Sequence, residues 1–265
     1  MKRLMVSDLD GTLLNEKGIV SKETAHAVKQ VVKKGNIFAI ATGRIYSQTE
    51  HVRDALGDEI LCICSNGAVV YENGNIISKH PLSKDSVEKL LNIDLSKYSS
   101  NIALNGFTID EWITTTFDEF MDELGKRTGT PCRVCSSEEF KGHECLKVFF
   151  SSLDHECLVE LEKDLKEQFP HLEIVFSHPS CLEVNEKGIS KFRALENYCK
   201  RTDIDVSDVI AFGDAFNDYE MLKNVGHPCL MGNCLPKLKE AITHGTVIDS
   251  NVNNGVAKYL TKNFI

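Results

Sequence analysis

The chain has 265 residues, room for one large domain or two modest ones, with an ordinary globular composition of 42% hydrophobic and 26% charged residues. Its formal charge is −9 with no basic run, which argues against a nucleic-acid binder, and no stretch approaches the ~20 apolar residues of a membrane span. The opening Met-Lys-Arg-Leu-Met-Val-Ser-Asp lacks a secretory apolar region, so the expected location is the cytoplasm.

The first apolar run, Leu4-Met5-Val6, stops at Ser7-Asp8. A helix is expected from Ser21, a good N-cap, through Val28, Val31 and Val32 to Gly35. Residues 37–41, IFAIA, are too short for a helix and apolar enough for a strand buried on both faces. A second helix and the strand ILCIC at 60–64 come next, and Asn73-Gly74 between Val69-Val70-Tyr71 and Ile76-Ile77 reads as a hairpin turn. Late in the chain the alternation returns: a helix over 189–200, the strand VIAFG at 209–213, a helix near 216–224 and a strand near 229–231. Such alternation predicts an α/β fold with a Rossmann-like parallel sheet. The middle differs, with helices expected near 116–127 and 154–168 and strand-like runs at 108–114, 145–151, 172–177 and 181–184. The predicted layout is a core of residues 1–82 and 186–265 interrupted by an α+β insert, residues 83–185.

Ten cysteines could suggest disulfides or metal, but Cys62 and Cys64 sit in an apolar run and the CxxC at Cys132–Cys135 has no second ligand pair at zinc spacing. They read as free thiols. Neither a P-loop nor a dinucleotide-binding glycine fingerprint is present.

Ligands of open parallel sheets bind beyond the carboxyl ends of the strands, which draws attention to the polar residues just after each apolar run. The four runs lead into Ser7-Asp8-Leu9-Asp10-Gly11-Thr12, Thr42-Gly43-Arg44, Ser65-Asn66-Gly67 and Gly213-Asp214-Ala215-Phe216-Asn217-Asp218. One sheet edge would gather Asp8, Asp10, Asp214 and Asp218 with Thr42 and Asn66. Carboxylates crowded this way raise one another's pKa unless a counter-charge joins them, and a hard divalent cation such as Mg²⁺ meets that need. Asp8, directly after its strand, is placed as a nucleophile; Asp10, two residues on, could give a proton to a leaving oxygen and later take one from water.

On these motifs, DLDGT, TGR, SNGA and GDAFND, the chain resembles the haloacid dehalogenase superfamily, and most of all its Cof-type phosphatases, whose α/β cap lies between the second and third motifs. The resemblance implies a Mg²⁺-dependent phosphatase acting through an aspartyl-phosphate. It makes Asp8 the nucleophile and Asp10 the acid/base. Thr42 would bond the transferring phosphoryl group, with Thr12, Gly43, Arg44, Asn66 and Asn217 around phosphate or substrate. The metal set would be Asp8, Asp214, Asp218 and Asp10, the last through its backbone carbonyl. The third-motif lysine is Lys191 on a KGxxK pattern, with Lys187-Gly188 as the competing match. The implied substrate is a small phosphorylated metabolite, a sugar phosphate first, taken by a monomer or small homo-oligomer. From the insert, Trp112, Phe117, Arg133, Lys147, His178 and Glu183 are candidate contacts, each with a structural reading beside it. A phosphohexomutase of the same superfamily and a catalytically idle phosphometabolite sensor are the rival readings.

Overall fold

The computed structural model describes residues 2–57, 59–98, 101–116, 121, 125–126 and 129–265. These form two compact units, one of Met1–Arg44, Thr49–Ser78 and Ser190–Ile265, the other of Ile45–Gln48 and Lys79–Ile189.

The first unit opens with strands β1 (Leu4–Ser7), β2 (Ile37–Ala41) and β3 (Leu61–Cys64), then β4 (Val69–Glu72) and β5 (Asn75–Lys79). The second unit contributes β6 (Ala103–Phe107), β7 (Trp112–Thr114), β8 (Cys132–Val134), β9 (Lys147–Ser151), β10 (Leu172–His178) and β11 (Cys181–Glu186). The chain then returns to the first through β12 (Ile210–Gly213), β13 (His227–Leu230) and β14 (Thr246–Val247). The helices are α1 (Lys22–Lys33), α2 (Glu50–Leu56), α3 (Lys84–Leu91), α4 (Ser137–Gly142), α5 (His155–Gln168), α6 (Lys191–Thr202), α7 (Tyr219–Asn224), α8 (Pro236–Ala241) and α9 (Gly255–Phe264).

In the first unit the strands run β14-β13-β12-β1-β2-β3-β4-β5, parallel from β14 through β3. The central strands β1, β3 and β12 are buried along their whole length, as parallel strands between two helical layers must be. From β1 the chain steps outward to β2 and β3; from β12 it steps the other way to β13 and β14. The reversal falls between β1 and β12, the place where open α/β sheets leave a crevice for ligand. Helix α1 starts on Ser21, whose side chain accepts from the Thr24 N–H, and buries Thr24, Ala27, Val28 and Val31. Asn73 and Gly74 both take positive φ, +50° and +75°, as the turn reading requires.

The second unit carries a mixed sheet, β10-β11-β9-β6-β7-β8, antiparallel except for β7 against β8. One face packs Val148, Phe150, Leu182 and Val184 against Leu158, Leu161 and Leu165 of α5. The other carries Ala103, Phe107, Trp112 and Phe149. Of the strand expected over 108–114 only Trp112–Thr114 is one, as β7, and β6, β8, α3 and α4 were not foreseen. Asn105-Gly106, the same dipeptide as the 73–74 turn, lies inside β6. Asn105 is held by the Trp112 Nε1–H and by Ser151, and a Cβ at Gly106 would come 2.6 Å from the Phe140 ring. The helix expected over 116–127 falls largely outside the described residues, and Phe117 lies outside them. Arg133 is engaged by Glu111 and Glu139, while exposed His178 accepts from the Ser180 N–H. None of the ten cysteines is in a disulfide. No helix among the described residues is long and apolar enough to cross a membrane.

Candidate active site

Because β3, β2, β1 and β12 are neighbouring parallel strands, the loops leaving their carboxyl ends lie side by side: Ser65–Asn66, Thr42–Arg44, Asp8–Thr12 and Asp214–Asp218. Asp8 is anchored at the end of β1 by its own N–H, which donates to the Phe212 carbonyl at 3.0 Å. The backbone then kinks at Asp10 (φ −77°, ψ 119°) and Gly11 (φ +80°). Gly11 admits no side chain: besides its left-handed φ, an added Cβ would lie 2.3 Å from Asp214 Oδ2.

The centre of the site is a buried cluster. Lys191 Nζ donates to Asp8 Oδ1 at 2.6 Å and to Asp218 Oδ1 at 2.7 Å, with side-chain exposures of 1%, 7% and 0% in that order. Asp218 Oδ2 accepts from the Asp214 and Ala215 N–H groups, and Thr12 Oγ1 donates to Asp214 Oδ1 at 2.8 Å. Lys191 reaches inward as the first residue of α6, capped by Ser190. Lys187 is exposed and donates to the Pro170 carbonyl in the second unit, so of the two candidate lysines the geometry brings Lys191 to Asp8.

Burial acts against the Lys191 charge, but the attraction of Asp218 and Asp8 outweighs it and its pKa lies above the ordinary lysine value. Burial drives Asp8 well above the usual carboxylate range, joined by repulsion from Asp218 and opposed by Lys191. Asp214 is pushed up to about 6, chiefly by burial, against the Thr12 hydrogen bond. Three carboxylates face one ammonium, and their oxygens lie within 4.8 Å of one another. That hard-oxygen set with excess negative charge fits a divalent cation.

The other expected residues divide. Buried Thr42 has its hydroxyl accepting from the Arg44 N–H at 3.1 Å and its carbonyl accepting from the Asn66 N–H at 2.9 Å, which ties the β2 and β3 loops together. A Cβ on Gly43 would sit 3.2 Å from Asn66 Oδ1, so Gly43 and Asn66 adjoin. The Asp10 carboxylate stays outside the cluster and pairs with Arg44. Asn217 is exposed in the turn before Asp218. One contributor was missed: Asn233 Nδ2 donates to the Gly11 carbonyl at 2.8 Å and its Oδ1 accepts from the Asn251 N–H, bracing the Asp8–Thr12 loop. The signal was present, since Met231-Gly232-Asn233 comes directly after β13, just as the other clusters come after their strands.

A family model for haloacid dehalogenase-like hydrolases matches residues 5–260. A Haemophilus influenzae protein named "Putative phosphatase" is 34% identical over 265 residues, 99% of this chain and 97% of its own. The HMP-PP phosphatase of Serratia proteamaculans is 32% identical over 263 residues, covering 98% and 94%. Among solved structures, the HAD-superfamily phosphatase BT1666 from Bacteroides thetaiotaomicron superposes with a TM-score of 0.82 at 26% identity, covering 99% of this chain and 95% of that one. The chain belongs to the haloacid dehalogenase-like hydrolases, as a phosphatase of their Cof-type branch.

Proposed function

We propose that this phosphatase hydrolyses a small phosphorylated metabolite through an aspartyl-phosphate on Asp8. The observation that supports this reading is the buried Asp8–Lys191–Asp218 cluster with Asp214 beside it. Asp8 is rigid, at the carboxyl end of a buried strand and next to a lysine that can offset phosphate charge. Its attack on phosphorus breaks the bond to the leaving oxygen, to which Asp10 gives a proton. Asp10 then takes a proton from the water that hydrolyses the aspartyl phosphate. Thr42 and Asn66, with the Gly43 backbone, would hold the phosphoryl oxygens, and Thr12 positions Asp214. Asp8, Asp214 and the Asp10 carbonyl would hold Mg²⁺, with Asp218 orienting the set; when bound, the ion supplies positive charge to the phosphate ester. Catalysis of this kind is mostly positioning and charge stabilisation.

Residues 1–82 and 186–265 would then be the catalytic core and residues 83–185 the cap that selects the leaving group. The Serratia relative acts on HMP-PP, which supports a small organic phosphate or diphosphate as substrate, with sugar phosphates the other class to test. The test is phosphate release from a panel of both classes, with and without Mg²⁺, by wild type and Asp8→Asn. Release that needs Mg²⁺ and vanishes in Asp8→Asn, by at least about 10⁴-fold, is expected. Undiminished turnover in a folded Asp8→Asn would sink the scheme; no release from any ester would count against hydrolysis.

A further inference from the structure

We propose that Arg44 is a positioning residue for Asp10, a clamp that fixes the orientation of the carboxylate through both proton transfers. The inference rests on the roles of Asp8 and Asp10 given above and concerns how Asp10 is held.

Asp10 differs from every other carboxylate of the site. Its side chain is 60% exposed, against 7% for Asp8 and 0% for Asp218, and it sits on the kinked backbone before Gly11. An exposed aspartate on such a bend has no packing to choose its rotamer. Arg44 supplies the choice. Its Nε donates to Oδ2 at 2.9 Å and its Nη2 to Oδ1 at 2.6 Å, a two-pronged pairing that fixes both distance and plane.

Arg44 is itself held. Its N–H donates to Thr42 Oγ1 and its carbonyl accepts from the Ser65 N–H at 2.9 Å. The segment that makes this second contact is strained: Ser65 and Asn66 adopt φ of +49° and +54°, a region few residues with a Cβ occupy, and the buried Ser65 hydroxyl has no hydrogen-bond partner. Those unfavourable terms sit where the chain grips the backbone of Thr42 and Arg44. An arginine serving only solubility would need no such anchoring. With Nε and Nη2 committed to Asp10, the guanidinium acts on the reaction through that carboxylate.

The bonding fixes the prediction. In the first step the Asp8 oxygen–phosphorus bond forms, the phosphorus–leaving-oxygen bond breaks, and the Asp10 proton goes to the leaving oxygen. In the second, the water oxygen–phosphorus bond forms, the Asp8–phosphorus bond breaks, and the water proton goes to Asp10. Nitrophenolate leaves without needing a proton, so p-nitrophenyl phosphate spares the first transfer and leaves the second exposed. General acid–base catalysis contributes about 10²–10⁴-fold, and loss of positioning should remove the lower part of that range.

The experiment is rapid-mixing and steady-state kinetics of the Mg²⁺-loaded enzyme on p-nitrophenyl phosphate and on an alkyl phosphate that wild type turns over. It compares wild type, Arg44→Ala, Arg44→Lys, Asp10→Asn and the Arg44→Ala/Asp10→Asn double variant, with thermal melts confirming folding. Arg44→Ala should give a nitrophenol burst of one equivalent and then turnover about 10–100-fold slower than wild type, with KM falling alongside kcat because the phospho-enzyme accumulates. On the alkyl ester it should show a similar or larger loss without a burst. Arg44→Lys should recover part of the rate, and the double variant should be no slower than Asp10→Asn. A raised KM with intact kcat, or additive losses in the double variant, would overturn the clamp in favour of direct substrate contact. Wild-type kinetics in Arg44→Ala would also overturn it. Asp10→Asn at wild-type rates would instead remove the acid/base reading beneath it.

Discussion

Each unit buries a lysine against a carboxylate, Lys191 at 1% and Lys147 at 4% side-chain exposure, in very different company. Lys147 meets Glu183 at 2.7 Å and lies over the rings of Phe107 and Phe149, 5.2 and 5.8 Å from their centroids. Among the described residues Glu183 is the carboxylate that meets this ammonium, and the negative ring faces add to its stabilisation. Lys191 faces Asp8, Asp218 and nearby Asp214, so positive charge runs short. Desolvating carboxylates without full compensation is unfavourable, and the proposed cation and substrate would relieve that unfavourable state. Burial alone therefore does not mark a lysine as functional; the sign and size of the charge left over does.

The comparison breaks first at Lys191. Lys191→Met should lower kcat by about 10²–10³-fold, the scale on which preorganised charge stabilisation acts, while Mg²⁺ still binds. The same change leaves Asp8 and Asp218 buried without their ammonium, so the metal-free variant should lose roughly 3–5 kcal/mol of stability. Urea melts with EDTA and with Mg²⁺ separate the two effects: the ion should restore stability and leave the rate low. A variant of wild-type rate would place the phosphate charge on other groups.

Lys147→Met should act on stability alone. Removing the ammonium from buried Glu183 should cost about 3 kcal/mol, and Lys147→Met/Glu183→Leu should recover most of it, because apolar pairs commonly replace buried ion pairs without loss. Turnover should stay within a few-fold of wild type. A large rise in KM instead would move Lys147 from scaffold to substrate recognition and erase the contrast with Lys191.

The two units also differ in how much their sequence discloses. The parallel sheet was readable because its strands are short apolar runs between helical stretches, and each ends in a polar cluster whose place is set by topology. Asn233 escaped only because the rule was not carried on to the strand after β12. The mixed sheet hid more. The same dipeptide, Asn-Gly, is a turn at 73–74, where both residues take positive φ, and part of a strand at 105–106. What decides is tertiary: the Trp112 indole N–H satisfying Asn105, and the Phe140 ring occupying the space a side chain would need at Gly106. The inward turn of Lys191 rather than Lys187 is likewise set by where α6 begins. Nor could spacing show that Asp10 faces Arg44 rather than the other carboxylates.

The smallest effect sharpens the contrast through pH. Asp8 and Asp214 have folded-state pKa values above those of an unfolded aspartate, Asp8 well above and Asp214 at about 6. A group raised on folding contributes stability that is present below its unfolded pKa and lost as pH rises through its folded one. Metal-free protein should therefore become less stable between pH 5 and pH 7. Carboxyls with the opposite sign do not confuse this window: Asp205, held low by the Ser207 hydrogen bonds, and Glu111, held low by Arg133, lose their contribution only in stronger acid. Mg²⁺ at 100 times its Kd should add about 2.7 kcal/mol, and more of it at pH 7 than at pH 5, because the carboxylates it meets are then ionised. Thermal melts at both pH values, with EDTA and with Mg²⁺, read this directly. A pH-independent melting temperature in EDTA would mean that the Lys191 cluster is already balanced, and the excess charge assigned to it would be gone.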